Sequence, residues 1–432
     1  MIDDQSGSDD RSGEGQRTTA GTRPRSSLAG VLSGTGYEQK TPSTHLELVQ
    51  VGRGTPYGEV LRRYWQPVAL ASSATTVPAP IRILGEDLIL FRTRRGVPGL
   101  LTPHCAHRGA SLFYGGIEDD GIRCCYHGWV FDPQGRCLEQ PCEPGGGRHR
   151  DRVRQPWYPL REYHGLLFAY MGPPDAMPDF IRWDVLEQPG PGEQVIADDN
   201  SFSGGGPKEL DFNWLNHYEN VLDPFHVPIL HARFSGIQFI PEMGIMPECR
   251  FAYTDQGVGC YSVRHLDDGR RLYRLTEAVF PNVRLVASPR MSAMGPSRLL
   301  GWVVPSDDTS FVIFTLARVT DPGALAGEKT LQGGKPWAEL TPEEHQRYPG
   351  DYEAQSSQGA LPVHSRETLA TTDQGITMIR RLMAKQIRAV REGRDPIGVS
   401  RTGADLTAEV KAGVWFGDAP WVSEAARLSG GV

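Results

Sequence analysis

The pattern of apolar and polar positions divides the chain into a polar start, a β-rich part and a part that mixes strands with helices. Residues 1–40 are largely Gly, Ser, Thr and Arg and have little apolar surface to bury, so they predict a disordered tail. Order is expected to begin near Thr44 and to become firm in 60–70, where Tyr64 and Trp65 bring large apolar side chains.

Short strand-like segments predict a small all-β domain at residues 45–170. The run IRILGEDLILFR (81–92) has two β-rich halves around Gly85-Glu86-Asp87, which predicts a hairpin that turns at these three residues. The segment GWVFDPQGRCLEQ predicts another hairpin, with its turn at Asp132-Pro133-Gln134-Gly135.

A second domain is predicted at residues 180–425, after a proline-rich linker at 171–180. Its strand-like segments are 249–265, 271–287 and 298–318, with a turn at Asp267-Asp268-Gly269. Helices are expected in the middle of 209–231 and at 372–393, where five apolar residues follow helical spacing and Gly393 ends the pattern: Ile376, Ile379, Leu382, Ile387 and Val390. The predicted fold class is therefore α+β, a small all-β domain followed by a domain of helices and antiparallel sheet.

Composition and charge exclude several classes of protein. The 50 Gly and 34 Pro residues make up about a fifth of the 432-residue chain, which favours turns and short strands. A net charge of −7 with scattered Lys and Arg argues against a nucleic-acid partner. No apolar run is long enough for a membrane span and the first residues do not resemble a signal peptide, so we expect a cytoplasmic protein without a membrane partner.

Two loops each combine one cysteine with one histidine, as Cys105-x-His107 and Cys124-x-x-His127. A zinc finger typically takes its cysteines from one loop and its histidines from another, so it fits this pattern poorly. In a Rieske [2Fe–2S] cluster, two histidines replace two cysteines on one iron. The motif therefore predicts such a cluster, with the cysteines on the buried iron and the histidines on the outer one.

The other five cysteines are not expected to bind metal. Cys125 is next to a predicted ligand but has the wrong spacing. Cys137, Cys142, Cys249 and Cys260 are interpreted as core residues.

A second metal site is indicated by NHYENVLDPFHVPILH. Glu219, Asn220, Asp223 and His226 share one face of a regular helix, whereas His217 is expected to point to the opposite side. His231 is off the His226 face by periodicity, but Pro224 and Pro228 could bring it back.

Two histidines and one carboxylate form the facial triad of non-heme Fe(II) oxygenases. The carboxylate is left open among four residues of the 348–375 segment: Asp351, Glu353, Glu367 and Asp373.

These motifs resemble those of the Rieske non-heme iron aromatic ring-hydroxylating oxygenases, in the phthalate dioxygenase-like group. The run CAHRGASL…GIRCCYHGWVFD is similar to their cluster-binding domain, and D-x-x-H-x-x-x-x-H, from Asp223 to His231 after an Asn-Trp pair, is similar to their mononuclear iron motif. The PGDYEAQ segment resembles the one that carries their third iron ligand, which implies Asp351. Asp373, otherwise an acid in the first turn of the last helix, is the rival.

The resemblance implies the terminal oxygenase component of a multicomponent system. It would hold a Rieske [2Fe–2S] cluster at Cys105, His107, Cys124 and His127, and a mononuclear Fe(II) at His226, His231 and Asp351. Electrons from NAD(P)H would arrive from a separate reductase, directly or through a ferredoxin. Asp223 would link the iron histidines to the cluster of a neighbouring subunit in a cyclic homo-oligomer, most often a trimer; Asn220 is the other predicted catalytic residue.

The substrate implied is an aromatic compound that carries a carboxylate or methoxy group and reacts with O₂. O-demethylation, ring hydroxylation and phthalate-type dihydroxylation all remain open. A Rieske electron carrier without chemistry of its own and a zinc-stabilised binding module are the alternatives from other classes. Arg233 and Arg250 could pair with a substrate carboxylate but are more commonly solvated surface charges.

Overall fold

The computed structural model describes residues 35–148, 150–200, 206–236, 238–287, 295–321 and 331–417. Most of the predicted tail, residues 1–34, lies outside these described residues, as does the predicted domain's end at 418–425. Residues 35–42 belong to a separate unit, whose described part contains the 3-10 turn Gly36–Glu38. From Ser43 onward the chain forms one compact unit, and its division into domains at 45–170 and 180–425 stays a prediction.

Three small antiparallel sheets form the first part of this unit, in the orders β1-β10-β9, β2-β3-β4 and β5-β6-β7-β8. Their strands are β1 (Trp65–Leu70), β2 (Ala79–Ile83), β3 (Glu86–Arg92), β4 (Pro98–Leu101), β5 (Gly116–Ile117), β6 (Ile122–Arg123), β7 (Val130–Phe131), β8 (Cys137–Glu139), β9 (Leu160–Tyr163) and β10 (Leu166–Tyr170).

The first predicted hairpin is present, but its turn differs from the expectation. Ile83 pairs with Glu86, so Glu86 and Asp87 belong to strand β3 and the turn consists of Leu84 and Gly85. Both turn residues have positive φ, 51° and 76°. This two-residue geometry matches the twist of the strands that it joins. The predicted turn at Gly85-Glu86-Asp87 was wrong, because Leu84 adopts the left-handed backbone conformation at the first turn position.

The other two predicted turns are confirmed. At the end of β7, the Gly135 N–H donates to the Asp132 carbonyl over 2.9 Å, and the chain returns as β8. In the second part, the Gly269 N–H donates to the Leu266 carbonyl over 3.0 Å at the predicted Asp-Asp-Gly turn.

A ten-stranded antiparallel sheet dominates the second part. Its main path is β12-β20-β19-β17-β16-β15-β14, with β13, β18 and β22 attached, and β11 pairs in parallel with β21 outside it. The strands are β11 (Ile181–Trp183), β12 (Gln194–Asp198), β13 (Glu209–Leu210), β14 (Glu248–Tyr253), β15 (Gly257–His265), β16 (Arg271–Val279), β17 (Val283–Val286), β18 (Gly295–Pro296), β19 (Leu299–Asp307), β20 (Ser310–Val319), β21 (Leu406–Ala408) and β22 (Gly413–Phe416).

Helices accompany this sheet, so the predicted α+β class is confirmed. They are α1 (Leu46–Val49), α2 (Pro56–Leu61), α3 (Asp184–Glu187), α4 (Trp214–Asn220), a π-helix (Val227–Phe234), α5 (Pro342–Arg347), α6 (Asp351–Ser356) and α7 (Gln374–Arg391). Helix α7 confirms the last predicted helix: it buries Ile379, Leu382, Ile387 and Val390, and Gly393 follows it with a φ of 73°. No helix in the described part of the chain is long and apolar enough to cross a membrane.

The apolar side chains are buried in one large core and several smaller ones. The large core packs α4 and α7 with strands of the ten-stranded sheet, through residues such as Trp214, Tyr218 and Met383. A separate small core lies under the two Cys/His loops and includes Leu112, Phe131 and the two cysteines. The loops with the candidate ligands therefore rest on a hydrophobic support of their own.

Candidate metal centres

The two Cys/His loops have matching backbone structures. The Cys105 N–H donates to Ala110 O and the Gly109 N–H to Cys105 O; correspondingly, the Cys124 N–H donates to Trp129 O and the Gly128 N–H to Cys124 O, all over 2.8–3.1 Å. Gly109 and Gly128 have φ values of 76° and 70°, where a side chain would be strained. Each loop thus turns tightly within two residues of its histidine.

The four side chains meet between these loops with the cysteines inside. Cys105 and Cys124 are each 3% exposed, whereas the imidazoles of His107 and His127 are half-buried with ring centroids 4.6 Å apart. The ring of Trp129 stacks on His107 at 4.3 Å. Burial raises the pKa of the Cys105 thiol to about 11. Two buried thiols beside two imidazoles nearer to solvent fit the donor set of a Rieske cluster.

The remaining cysteines agree only partly with their interpretation as core residues. Cys137 and Cys260 are buried, as expected. Cys142 is exposed and its thiol donates to the His127 carbonyl, so its interpretation as a core residue was wrong. Cys249 is only partly buried. Cys142 is exposed because it lies in a loop beside His127 and not in a strand.

The second candidate centre begins where helix α4 ends. Asn213 caps the helix by accepting from the Leu215 N–H, and the helix stops at Asn220. Asp223 lies in the break before Pro224, and His226 is the residue before the π-helix. The single helical face predicted for Glu219 through His226 is therefore wrong as a description of the backbone, because α4 does not continue past Asn220.

The π-helix explains how His231 reaches His226. Its hydrogen bonds join residues five apart, as in the bond from the Ser235 N–H to Leu230 O over 2.8 Å. Residues separated by five positions therefore lie on nearly the same side, which is not so in an α-helix. The ring centroids of His226 and His231 are 5.2 Å apart.

Asp351, the first residue of α6, completes this group. Its carboxylate oxygens lie 3.8 Å from His226 Nε2 and 3.3 Å from His231 Nε2. One ligand atom from each of the three residues lies within 4.8 Å of the others. Two imidazoles and a buried carboxylate fit the donor set of a mononuclear Fe(II) site. Burial opposes ionisation of Asp351, but the charges of His231 and His226 outweigh it and hold its pKa well below the ordinary value.

Neighbouring polar side chains hold each candidate ligand. The Asn220 amide donates to Asp351 Oδ1 over 3.1 Å. Gln238 Oε1 hydrogen-bonds His231 Nδ1, which leaves Nε2 facing Asp351. Asp223 Oδ2 lies 3.3 Å from His226 Nδ1, and the Asp223 side chain is 36% exposed. Such partners fix the orientation of ligating side chains.

The DYEAQ segment that begins at Asp351 divides several structural tasks among its residues. Tyr352 donates to Asp211 over 2.8 Å, and Gln355 Oε1 lies 3.0 Å from His217 Nδ1. Glu353 accepts from the Gly350 N–H and also binds three side chains that surround it: Gln332, Trp337 and His345. Asp351 is therefore fixed by its neighbours in sequence as well as by Asn220.

His217 faces the candidate site rather than pointing away from it, so that prediction was wrong. It lines the cavity beside the three candidate ligands. Its Nε2 accepts from Arg284 over 3.2 Å. Burial and the Arg284 charge lower the pKa of His217 to about 3. His217 is thus a neutral, hydrogen-bonded histidine, and the end of α4 at Asn220 removes the angular relation on which the prediction rested.

The rival carboxylates have other partners. Asp373 accepts from the Ala370 N–H over 2.7 Å ahead of α7. Glu367 forms an ion pair with Arg380. The residues that sequence reasoning missed are Gln238 and the buried arginines Arg274 and Arg284 of the same cavity; no motif of the sequence pointed to them.

Comparison with known proteins gives matches over nearly the whole chain. The family profile described as the Rieske [2Fe-2S] domain matches residues 64–159. Phenoxybenzoate dioxygenase subunit alpha from Ectopseudomonas oleovorans is 46% identical over 388 residues, which cover 89% of this chain and 94% of the relative. The 5,5′-dehydrodivanillate O-demethylase oxygenase subunit from Sphingobium sp. is 33% identical, and the match covers 83% of each chain.

A solved structure has the same fold. The crystal structure of dicamba monooxygenase bound to dicamba superimposes with a TM-score of 0.55 at 19% identity. The match covers 77% of this chain and 99% of that chain.

Proposed function

Because the chain belongs to the Rieske non-heme iron aromatic ring-hydroxylating oxygenases, in the phthalate dioxygenase-like group, we propose that its two candidate centres divide the work of a terminal oxygenase. Cys105, His107, Cys124 and His127 hold the Rieske cluster. His226, His231 and Asp351 hold the mononuclear iron. When bound, the cluster supplies single electrons and the iron supplies O₂ activation beside an aromatic substrate.

The observation that carries this proposal is the convergence of the facial triad. His226, His231 and Asp351 come from separate elements, and their ligand atoms lie within 4.8 Å of one another. An electron carrier needs the cluster residues alone, so it would leave this second donor set without a purpose. A zinc-stabilised binding module would account for neither the His/Cys loop pairing nor the second set.

The residues around the triad hold its side chains in position. Asn220 holds one oxygen of Asp351, and Gln238 fixes the tautomer of His231. His217 and its hydrogen-bond partner Arg284 line the cavity beside the triad. Because His217 is neutral, it adds no positive charge to this cavity. His226 and Asp223 face partly outward, with side chains 20% and 36% exposed.

This outward position supports Asp223 as the link to a cluster in a neighbouring copy of the chain. Its carboxylate lies against His226 Nδ1 and accepts backbone hydrogen bonds from Phe225 and His226. We infer a cyclic homo-oligomer, a trimer, in which Asp223 lies at the subunit boundary. A separate NAD(P)H-dependent reductase, with or without a ferredoxin, delivers the electrons.

The reaction on the substrate is either hydroxylation of the ring or removal of a methyl group from oxygen. Of the two relatives named above, the first is named as a dioxygenase subunit and the second as the oxygenase subunit of an O-demethylase. The identity to the dioxygenase subunit is the greater, 46% against 33%, which favours ring oxygenation of a benzoate-like compound as the first reaction to test.

The test combines metal analysis with a pair of variants. The purified wild type should contain three irons per chain and give a Rieske-type EPR signal after reduction with dithionite. His226→Ala should lose about one iron and all product formation, while its cluster spectrum remains. His265→Ala, at an exposed histidine on β15, is the matched control and should keep all three irons. Two irons in the wild type, or turnover by His226→Ala, would contradict the two-centre function.

A separate variant tests the role of Asp223. Asp223→Asn should keep three irons and a cluster that dithionite reduces normally, but product formation should fall by about 10–100-fold, the usual effect of losing a carboxylate that supports a metal-ligating histidine. Normal turnover in this variant would contradict the proposed link while leaving the ligand assignment intact.

A further inference from the structure

The cavity beside the triad contains an unusual amount of buried positive charge. It is lined by the three candidate ligands and also by two arginines and two hydroxyl side chains: Arg274, Arg284, Ser262 and Thr276. Arg274 and Arg284 are only 6% and 7% exposed. Both arginines line this cavity together with His231 and Asp351, so both lie near the triad.

Strand pairing places a third arginine beside them. Ser262 on β15 is paired with Arg274 on β16, and Arg264 is paired with Leu272. Since side chains two residues apart on a strand share a face, Ser262, Arg264 and the partner Arg274 all face the same side of the sheet. Arg264 is fully buried.

Hydrogen bonds account for only part of the polar surface of Arg274 and Arg264. Arg274 donates through Nε and Nη2 to Ala287 O, over 3.2 and 3.0 Å. Arg264 donates through Nε to Ile245 O over 3.0 Å, and its Nη1 and Nη2 are buried without a partner. In the part of the chain that the structure describes, neither arginine forms a salt bridge.

The two charges also oppose each other. Burial and the mutual repulsion with Arg264 lower the pKa of Arg274 to about 10, which leaves it charged at neutral pH. A buried cation without a counter-ion is costly, because it has lost its hydration. Arg284 differs, since the Asp351 carboxylate lies close enough to favour its charged form. The unbalanced charge of the cavity therefore belongs to Arg274, with Arg264 beside it.

We propose that Arg274 binds the carboxylate of an aromatic substrate and so selects aromatic carboxylates over neutral aromatics. The planar guanidinium matches a carboxylate, and the ligand would supply the negative charge that the described protein residues do not. Ala287 O holds the Arg274 side chain, and the Ser262 hydroxyl, which donates to Arg274 O over 3.1 Å, ties the two strands together. This inference rests on the proposed function, because it assumes that the cavity beside the triad receives the substrate.

The test measures binding to the complete iron-loaded protein by anaerobic calorimetry. The probes are 3-phenoxybenzoate, phthalate and benzoate, each compared with its neutral carboxamide of nearly the same shape. For the wild type, at least one carboxylate should bind about 30-fold or more tightly than its amide, the lower range for one partner of a buried charge pair. Equal affinities, or no binding by any of the three carboxylates, would overturn the proposal without need of a variant.

Variants then assign the preference to the residue. Arg274→Gln should reduce the preference for carboxylate to less than about 3-fold, and Arg274→Lys should restore part of it. Arg250→Gln, at an exposed arginine on β14, should leave it unchanged. An Arg274→Gln protein with an intact cluster spectrum and an undiminished preference would contradict the proposal.

The outcomes also separate this inference from the proposed function. Selective carboxylate binding without any product from O₂ would refute the oxygenase function but would still support carboxylate binding by Arg274. Oxidation of neutral aromatics as readily as of carboxylates would refute carboxylate selection by Arg274 but would still support the oxygenase function.

Discussion

The Asn220 side chain donates a hydrogen bond from Nδ2 to Oδ1 of Asp351 over 3.1 Å, across a separation of 131 residues. Asn220 is the last residue of α4, and Asp351 is the first of α6. The contact joins the segment that carries both candidate histidine ligands to the segment that carries the carboxylate. It therefore fixes the candidate carboxylate ligand relative to the two candidate histidines.

Asn220→Ala should weaken the mononuclear iron site without disturbing the Rieske cluster. The remaining carboxylate would lose the hydrogen bond that orients Oδ1, and loss of such a partner typically lowers metal affinity by about 10–100-fold. The affinity can be measured by titrating Fe(II) into protein that retains only its cluster. Unchanged affinity would show that Asp351 is held well enough by α6 alone.

Gln238→Leu should have a similar effect through His231. The leucine is close in size but cannot accept from Nδ1, so a buried donor stays unsatisfied at a cost of about 1–3 kcal/mol and the ring is free to change tautomer. We expect iron content and turnover to fall by about 10-fold or more, with normal cluster absorption. Gln194→Leu, at an exposed position at the start of β12, is the control.

Adjacent cysteines offer a sharp test of the cluster ligands. Cys124→Ser should abolish the Rieske absorption and EPR signal, because serine does not supply the buried thiolate that the cluster needs. Cys125→Ser, at the exposed neighbour, should retain both signals. Loss of the signal in both variants would point to a folding defect of the loop, and its loss in Cys125→Ser alone would overturn the assignment.

Arg380→Met should destabilise the protein by about 3–5 kcal/mol, the usual cost of breaking a buried ion pair. Arg380 binds both carboxylate oxygens of Glu219, whose side chain is 10% exposed, and also pairs with Glu367. Arg381→Met, at the exposed next residue, should change stability little. Thermal unfolding followed by circular dichroism compares the two variants.

The loss of stability in Arg380→Met should grow with pH. Burial raises the pKa of Glu219 above its ordinary value, although Arg380 opposes this. A carboxyl group whose pKa is higher in the folded protein than in the unfolded chain makes folding less favourable as pH rises through that range. Without Arg380 the pKa rises further, so the deficit relative to wild type should be larger at about pH 8 than at about pH 5. A pH-independent deficit would show that Glu219 is not the group left uncompensated.

Local features of the chain could be predicted because local sequence controls them. The turn at Asp132–Gly135, the α+β class and the burial of one face of α7 follow from turn residues and from periodicity. The pairing of one cysteine and one histidine in each of two loops likewise indicates the cluster, because the two ligands of each loop are close neighbours in the chain. Local sequence could not decide which of the four candidate acids is the carboxylate ligand. Only the resemblance to the family motif favours Asp351.

Other features depended on contacts that no local pattern encodes. Periodicity assumed a regular α-helix, so it placed His217 on the wrong side and left His231 uncertain. The end of α4 at Asn220 and the five-residue hydrogen bonds of the π-helix decide both positions. Leu84 in a left-handed turn conformation is a similar case, since the register of β2 and β3 selects it.

By itself, the sequence determined which chemistry the chain could hold: a cysteine and histidine pair in each of two loops, two histidines near a helix, and a set of acids from which one ligand had to come. Only the tertiary structure decided which acid meets the histidines, that Gln238 hydrogen-bonds His231, and that Arg274 and Arg284 line the same cavity. The physical reason is that strand register and the packing of distant segments place these side chains, and both arise from interactions between residues far apart in the chain.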